Sequence, residues 1–372
     1  MGVLERFTVR GDGRARGLQH GEHLRTAAQE HMKRWKAALA EDMKLDPELY
    51  IETFLAETNF LPAARRWTPD LLAELEGIAQ GANMPFRDVL TRMLSDEEPW
   101  YRREKKVTAL RERGCSSIGQ EAADGRPALV AQNMDVPKWW HGSQFVLHAV
   151  DPATGIECMV ITVAGKISLA GINSRGLAIA CNTLAQLDYA RDGLAEDLVV
   201  RGFLTQPDLD AGLRFMRGIK HASGQNYTLG GPDGRVINLE CSARSVQEFR
   251  LPGSPGYVFH TNHPLASRDT ACFDALTQGL PPAQTEPLFF NTSRARFAAL
   301  EAFLSKTPLP LTAKTCQEAL SLHDGPVCRH GEIEGRTDHF TLASLVMECG
   351  DSPRLHIAGG PPCETVWQTF TF

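Results

Sequence analysis

Apolar residues recur at helical spacing along roughly the first hundred positions of the chain, and the texture changes to short apolar runs divided by turn residues further on. The stretch 17–43, GLQHGEHLRTAAQEHMKRWKAALAEDM, is long and amphipathic. In TPDLLAELEGIAQG, residues 68–81, Thr68 stands as a helix cap, Pro69 falls in the first turn and Gly81 closes the element. Leu71, Leu75, Ile78 and Ala79 share one face of that helix, so it packs against something. Residues 84–98 predict a further helix. Up to about Trp100 every signal is helical.

After Gly114 the pattern is that of strands. CSSIG, PALVAQNMD, FVLHAV and IECMVITVAG follow in quick succession, with ADGRP and DPATG as turn signals between them. GLAIACNTL is another apolar run, and 192–219 holds two helical candidates. NYTLGG, RVINLEC and GYVFHTN read as strands, SRARFAALEAFLS and AKTCQEALSLH as helices, and the chain closes on strands at 340–349, 354–360 and 365–372. Hairpin-linked strands with helical blocks between them predict an α+β domain in which antiparallel sheets are covered by helices. No internal repeat and no low-complexity tract interrupts it.

Composition narrows the class. The chain has 372 residues, 42% hydrophobic and 23% charged, which is ordinary for a soluble globular protein. A net charge of -6, with no basic stripe interleaved with aromatics, argues against nucleic acid as a partner. No apolar run reaches the roughly 18 residues of a membrane-spanning helix, and MGVLERFTVRGDG has neither a signal-peptide core nor a myristoylation pattern. Nine cysteines are spread singly with no CxxC. They read as reduced, buried residues, and the compartment expected is the cytoplasm.

The seam between the two textures carries the chemistry. A charged run, YRREKKVTALRERG, ends on Gly114, and Cys115 opens the first strand of the body. A glycine before a cysteine leaves its carbonyl open to close approach. Ser116 and Ser117 leave room beside the thiol. The thiol can then attack the Gly114 carbonyl in an N-to-S acyl shift, and hydrolysis of the thioester leaves Cys115 with a free α-amine. An α-amine titrates at about 7.7–8.0 and a thiol at about 8.5, so the amine suits the role of general base on the same residue. A Cys-His enzyme would instead need His148, His260 or His263, and nothing in the sequence singles one out.

Together these residues resemble the penicillin acyltransferase family, typified by acyl-coenzyme A:6-aminopenicillanic acid acyltransferase and related to bile salt hydrolases and penicillin V acylases among the N-terminal-nucleophile hydrolases. The ordered fragments ARGLQHGEHLR, GCSS, AQNMD, GINSRGLAIACNTL, HTNHP, SRARF, HDGPVCRH and GPPCETVW carry the resemblance over most of the chain. It implies a four-layer αββα sandwich, self-cleavage between Gly114 and Cys115, and Cys115 as nucleophile. It further implies that Asp135 holds the amine and thiol, that Asn182 is part of an oxyanion hole, that Asn262 is a second asparagine near the nucleophile, and that Arg296 orders the site electrostatically. Residues 1–114 would then be a helical leader that becomes an α subunit. Residues 115–372 would be the catalytic β subunit, associated with it in one compact domain. One departure stands out: bile salt hydrolases carry an arginine three positions before the aspartate, where this chain has Gln132.

The expected reaction is hydrolysis of a linear amide of an N-acyl compound through a thioester acyl-enzyme, with no cofactor and no metal. Its partner is a small-molecule amide, and a homo-oligomer is a further possibility. Acyl transfer from an acyl-coenzyme A is the alternative, although nothing marks a site for that carrier. An uncleaved binding protein is another reading. Trp139 and Trp140, just past Asp135, are candidates for an acyl pocket wall or for core packing. HGEH (His20–His23) and HTNH (His260–His263) lack the partners of a metal site. Asp96, Glu97 and Glu98 read as a solvated helix end.

Overall fold

The computed structural model describes residues 3–44, 46–105, 114–253, 256–281, 292–331 and 339–372. Numbered in chain order, the first sheet runs β1 (Arg6–Arg10), β4 (Gln144–Asp151), β5 (Ile156–Val163), β6 (Ala170–Asn173), β7 (Ala178–Thr183), β8 (Gln225–Gly230), β9 (Val236–Cys241), β10 (Val246–Phe249). The second runs β11 (Tyr257–His260), β2 (Gly114–Gln120), β3 (Ala128–Pro137), β12 (His339–Cys349), β13 (Arg354–Ala358), β14 (Gln368–Thr371). The leader supplies α1 (Gly13–His23), α2 (Arg25–Met43), α3 (Pro47–Ala56), α4 (Leu61–Trp67), α5 (Pro69–Ala82), α6 (Phe86–Met93) and α7 (Glu98–Glu104). The body adds α8 (Glu196–Leu204), α9 (Leu209–Gly218), α10 (Ala271–Thr277), α11 (Ser293–Leu304) and α12 (Ala313–Leu320).

Strand alternation separates the layers. Val130 and Met134 of β3 turn inward and pack with Val146, Met159, Ile161 and Ala178 of the first sheet. Their neighbours Leu129 and Ala131 turn outward onto Leu300, Cys316 and Leu320 of α11 and α12. On the far side of the first sheet, Leu147, Val160 and Ile179 pack against Met32, Leu75 and Ile78 of the leader and Leu198 and Phe203 of α8. The result is the four-layer α–β–β–α sandwich.

The leader departs from an all-helical reading in one strand. Its β1 pairs with β4 in parallel, Arg6 opposite Val146 and Arg10 opposite Val150. Every other ladder is antiparallel among the described residues. A parallel neighbour requires a long crossover, and the leader's helices are contained in it. The stretch 17–43 is divided between α1 and α2, separated at Leu24. Gly81 does not close α5. The left-handed cap is Asn83 (φ 52°), and Thr68 donates its hydroxyl to the Ala64 carbonyl instead of capping. Gly81 is retained inside the helix because α1 and α5 cross with backbones touching. A β-carbon on Gly17 would fall 1.9 Å from the Glu74 carbonyl oxygen, and one on Gly77 would fall 2.4 Å from that of Arg14.

Asp96, Glu97 and Glu98 do not form a solvated helix end. All three are buried: Asp96 and Glu97 tie the leader to the body, and Glu98 is held within the leader. Glu97 Oε1 accepts from the Ser223 hydroxyl at 2.8 Å and from the Glu196 main chain at 3.0 Å, and Arg102 holds Glu98 at 2.7 Å. All nine cysteines carry free thiols; seven are buried, whereas Cys272 and Cys363 are exposed. No described helix is long and apolar enough to cross a membrane.

Candidate active site

Strand β2 begins at Gly114 and pairs with β3 so that Gly114 faces Asp135 and Cys115 faces Met134. Residues 106–113 of the charged run lie outside the described residues. Alternation places Cys115 and Ser117 on the inner face of the second sheet, while Gly114 and Ser116 face the helical layer. The thiol is therefore enclosed between the sheets in the cluster that holds Met134 and Trp140.

Two side chains converge on the main chain at Cys115. The Cys115 N–H donates to Asn262 Oδ1 at 2.8 Å. Arg296 donates to the Cys115 carbonyl at 2.5 Å and to Asn262 Oδ1 at 2.7 Å, and also reaches Ser116 Oγ at 3.1 Å. Asn262 donates its own amide to the Thr183 carbonyl at 2.9 Å, which fixes which way the amide faces. Arg296 is reached from α11, where it is almost fully buried, so it is no surface ion-pair residue.

On the outer side, Asp135 Oδ1 accepts from the Thr341 hydroxyl at 2.7 Å, and Oδ2 lies 3.4 Å from Arg329 Nε. This pair is pressed against Gly114. A β-carbon there would meet Arg329 at 2.9 Å and Asp135 Oδ2 at 3.0 Å. Burial pushes the Asp135 carboxyl above the usual range, and the charges of Arg329 and Arg296 pull it back. The Cys115 thiol is pushed up to about 12 by burial and by the negative charge of Asp135, opposed by the Asp135 main-chain N–H and by Arg296. A thiol in that state needs a base to react.

Asn182 stands on β7 across the inter-sheet space. Its Oδ1 accepts from Ser117 Oγ at 2.7 Å and from Asn226 Nδ2 at 2.8 Å. Its Nδ2 is buried and has no hydrogen-bond partner among the described residues. A buried donor left unmade is costly, of the order of 1–3 kcal/mol, and this one belongs to the side chain hydrogen-bonded to Ser117, two residues along β2 from the thiol. Gln132 sets the strand that carries it. The Gln132 amide donates to the Cys181 carbonyl at 2.5 Å and accepts the Cys181 N–H at 3.2 Å. Those main-chain groups lie beyond the last β6–β7 pair, Gly171 with Ile179, so the glutamine completes them from the other sheet. An arginine, which only donates, cannot make both bonds.

Of the residues singled out in the sequence, Gly114, Cys115, Asp135, Asn262 and Arg296 thus lie together, and Asn182 faces them through Ser117. Trp139 and Trp140 stack on the Arg92 guanidinium, 5.2 and 4.8 Å from the ring centres. His148 pairs with Glu157 at 2.6 Å and His260 with Glu240 at 2.9 Å. His20 accepts the Gly165 N–H, and His263 meets Ser293 Oγ. Arg329 was not singled out. Its signal was present, inside HDGPVCRH, but an arginine beside a cysteine and a histidine has no local pattern that reveals an aspartate 194 positions earlier in the chain.

The model of the family described as acyl-coenzyme A:6-aminopenicillanic acid acyl-transferase matches residues 121–357, well over half of the chain. The match begins just past Cys115 and contains Asp135, Asn182, Asn262, Arg296 and Arg329. No curated protein matches. Among solved structures, the chain is similar to a mutant of conjugated bile acid hydrolase from Clostridium perfringens at 11% identity, over 69% of this chain and 97% of that one, with a TM-score of 0.43. A second variant of that hydrolase gives 12%, 69%, 97% and 0.44. Penicillin V acylase from Agrobacterium tumefaciens gives 12%, 69%, 85% and 0.40.

Proposed function

Because the chain belongs to the acyl-coenzyme A:6-aminopenicillanic acid acyl-transferase family, we propose that it is a self-processing amidohydrolase whose nucleophile is Cys115, freed as an N-terminal residue by cleavage after Gly114. The observation that carries this reading is the pairing of an enclosed thiol with an unspent amide donor on Asn182. In the first stage the thiol sulfur bonds to the Gly114 carbonyl carbon, the carbon–nitrogen bond breaks, and the nitrogen takes up the thiol proton. Water then cleaves the thioester, leaving a carboxylate on Gly114 and a free amine and thiol on Cys115. Residues 1–114 and 115–372 remain together as one domain.

In the mature enzyme the α-amine takes the thiol proton, with Asn262 Oδ1 and the Asp135 carboxylate placed to hold the resulting ammonium. The thiolate attacks the carbonyl of a linear N-acyl amide. The oxyanion receives the Asn182 Nδ2 donor, the amine departs with the proton, and water releases the acyl group. Trp140 and Met134, in the same apolar cluster as Cys115, form the acyl side of the site. Nine free thiols suit a reducing compartment such as the cytoplasm. The family's description favours a second reading, in which an amine rather than water accepts the acyl group from a thioester donor; adding acyl-coenzyme A to the assay separates the two.

The intact mass of the denatured protein tests the proposal. The wild-type chain should give two masses, split before Cys115, and Cys115→Ala should give one. A purified, active wild-type protein with a single full-length mass overturns it.

A further inference from the structure

A second constellation lies outside this site. His323, Cys328, His330 and Cys363 bring one donor atom each to a common point, all within 4.8 Å of one another. We propose that these four residues bind one zinc ion in a closed, structural site.

The edges of the polyhedron support this. Tetrahedral zinc with bonds of about 2.3 Å to sulfur and about 2.0–2.1 Å to nitrogen requires edges of about 3.8 Å between sulfurs, about 3.3 Å between nitrogens and about 3.6 Å between unlike atoms. The Cys328 and Cys363 sulfurs are 3.6 Å apart, and His323 Nε2 and His330 Nε2 are 3.2 Å apart. His330 Nε2 lies 3.6 Å from Cys328 Sγ and 3.2 Å from Cys363 Sγ. Ordinary hydrogen bonding does not account for the cluster. His330 Nε2 has a single bonding direction, yet three polar atoms crowd it. A shared cation relieves that crowding. The sulfur separation is far beyond the roughly 2.05 Å of a disulfide.

The other ring nitrogen is also provided for. Glu364 Oε1 lies 3.4 Å from His330 Nδ1, the carboxylate–histidine arrangement that turns Nε2 toward a metal. Two thiolates and two imidazoles in a tetrahedron select zinc, and four protein ligands leave no open position for catalysis. The role is instead architectural. The ion would join two connections: the one after α12, which carries His323 and Cys328–His330, and the turn in which Glu364 and Thr365 donate to the Pro361 carbonyl. Two of its ligands flank Arg329, whose guanidinium holds Asp135.

The test uses the full-length chain, reduced and stripped with a chelator. Zinc titrated against a chromophoric competitor should be taken up at one equivalent per chain. Cobalt(II) in its place should give thiolate-to-metal charge transfer and strong tetrahedral ligand-field bands. Cys363→Ser and His323→Ala, both at exposed positions, should lose that uptake while the rest of the fold is retained by circular dichroism. No uptake by the reduced wild-type chain overturns the site, as does uptake that both variants leave unchanged or a cobalt spectrum without sulfur charge transfer. None of these readouts depends on catalysis or on self-cleavage.

Discussion

Asn262 accepts the main-chain N–H of Cys115, 2.8 Å away, and passes its own amide hydrogen to the carbonyl of Thr183. One side chain thus links the strand bearing Cys115 to the residue that follows Asn182. Asn262→Ala should remove the acceptor for the free amine and lower kcat by about 10- to 100-fold, with a smaller change in KM. Steady-state kinetics on the processed protein check this; equal losses in kcat and in fold stability would reduce Asn262 to a packing role.

Asn182→Leu removes the unspent donor while keeping the volume. Loss of an oxyanion donor typically costs about 10²–10³ in kcat. Alkylation of Cys115 by iodoacetamide should be nearly unaffected, since that reaction forms no oxyanion. A variant that retains normal kcat would refute the assignment.

Gln132 acts one step further out. Gln132→Leu leaves the Cys181 main-chain groups without their inter-sheet partner, so Asn182 loses its fixed position. The expected outcome is a kcat reduced by about tenfold with the thiol still reactive, and Gln132→Glu should recover only the accepting half of the contact. If Leu and Glu behave alike, the glutamine is not positioning Asn182.

At the seam, Gly114→Ala puts a methyl group against Arg329 and Asp135 at about 3 Å. Self-cleavage should slow markedly although the thiol is untouched, and a time course of denaturing gels after expression measures it. Unchanged cleavage would show that the ion pair yields freely.

Burial, together with the charge of Asp96, pushes the Glu97 carboxyl up to about 8, well above the ordinary value for glutamate. The folded chain therefore binds this proton more tightly than the unfolded one. Its contribution to stability is complete below the unfolded value and is lost as pH rises through about 8. Thermal unfolding should show a Tm that falls between about pH 5 and pH 8 and levels off above, and Glu97→Gln should flatten that fall. Parallel slopes in the two proteins would contradict it.

Much of the fold was legible because local pattern and layer agree. Largely apolar runs in β3 and β12 mark strands buried on both faces, and the face of Leu71, Leu75 and Ile78 marks a helix that packs. What stayed hidden depends on contacts across the chain. RFTVR is short and is followed by a run of helices, so nothing local shows that Arg6–Arg10 will add to β4 in parallel. Gly81 carries the local signature of a helix end, and only the approach of α1 explains why it lies inside one. Asp96 and Glu97 look solvated in one dimension because Thr183, Ser223 and Glu196, which they bond, are distant in sequence. The same holds at the sites: a motif led to Cys115, Asp135 and Asn262, whereas Arg329 and the histidine–cysteine cluster are assembled by loops far apart.

Strand β1 and the crossing of α1 with α5 bear on what a cut at the seam can release. The leader contributes an edge to the larger sheet and much of one core layer, and its Glu74 is clasped between Arg16 of its own segment and Arg201 of the body at 2.9 and 3.1 Å. Severing one peptide bond leaves all of this in place. On the proposed cleavage the N-terminal fragment is therefore expected to stay bound as a subunit, and denaturant rather than dilution should be required to part the two.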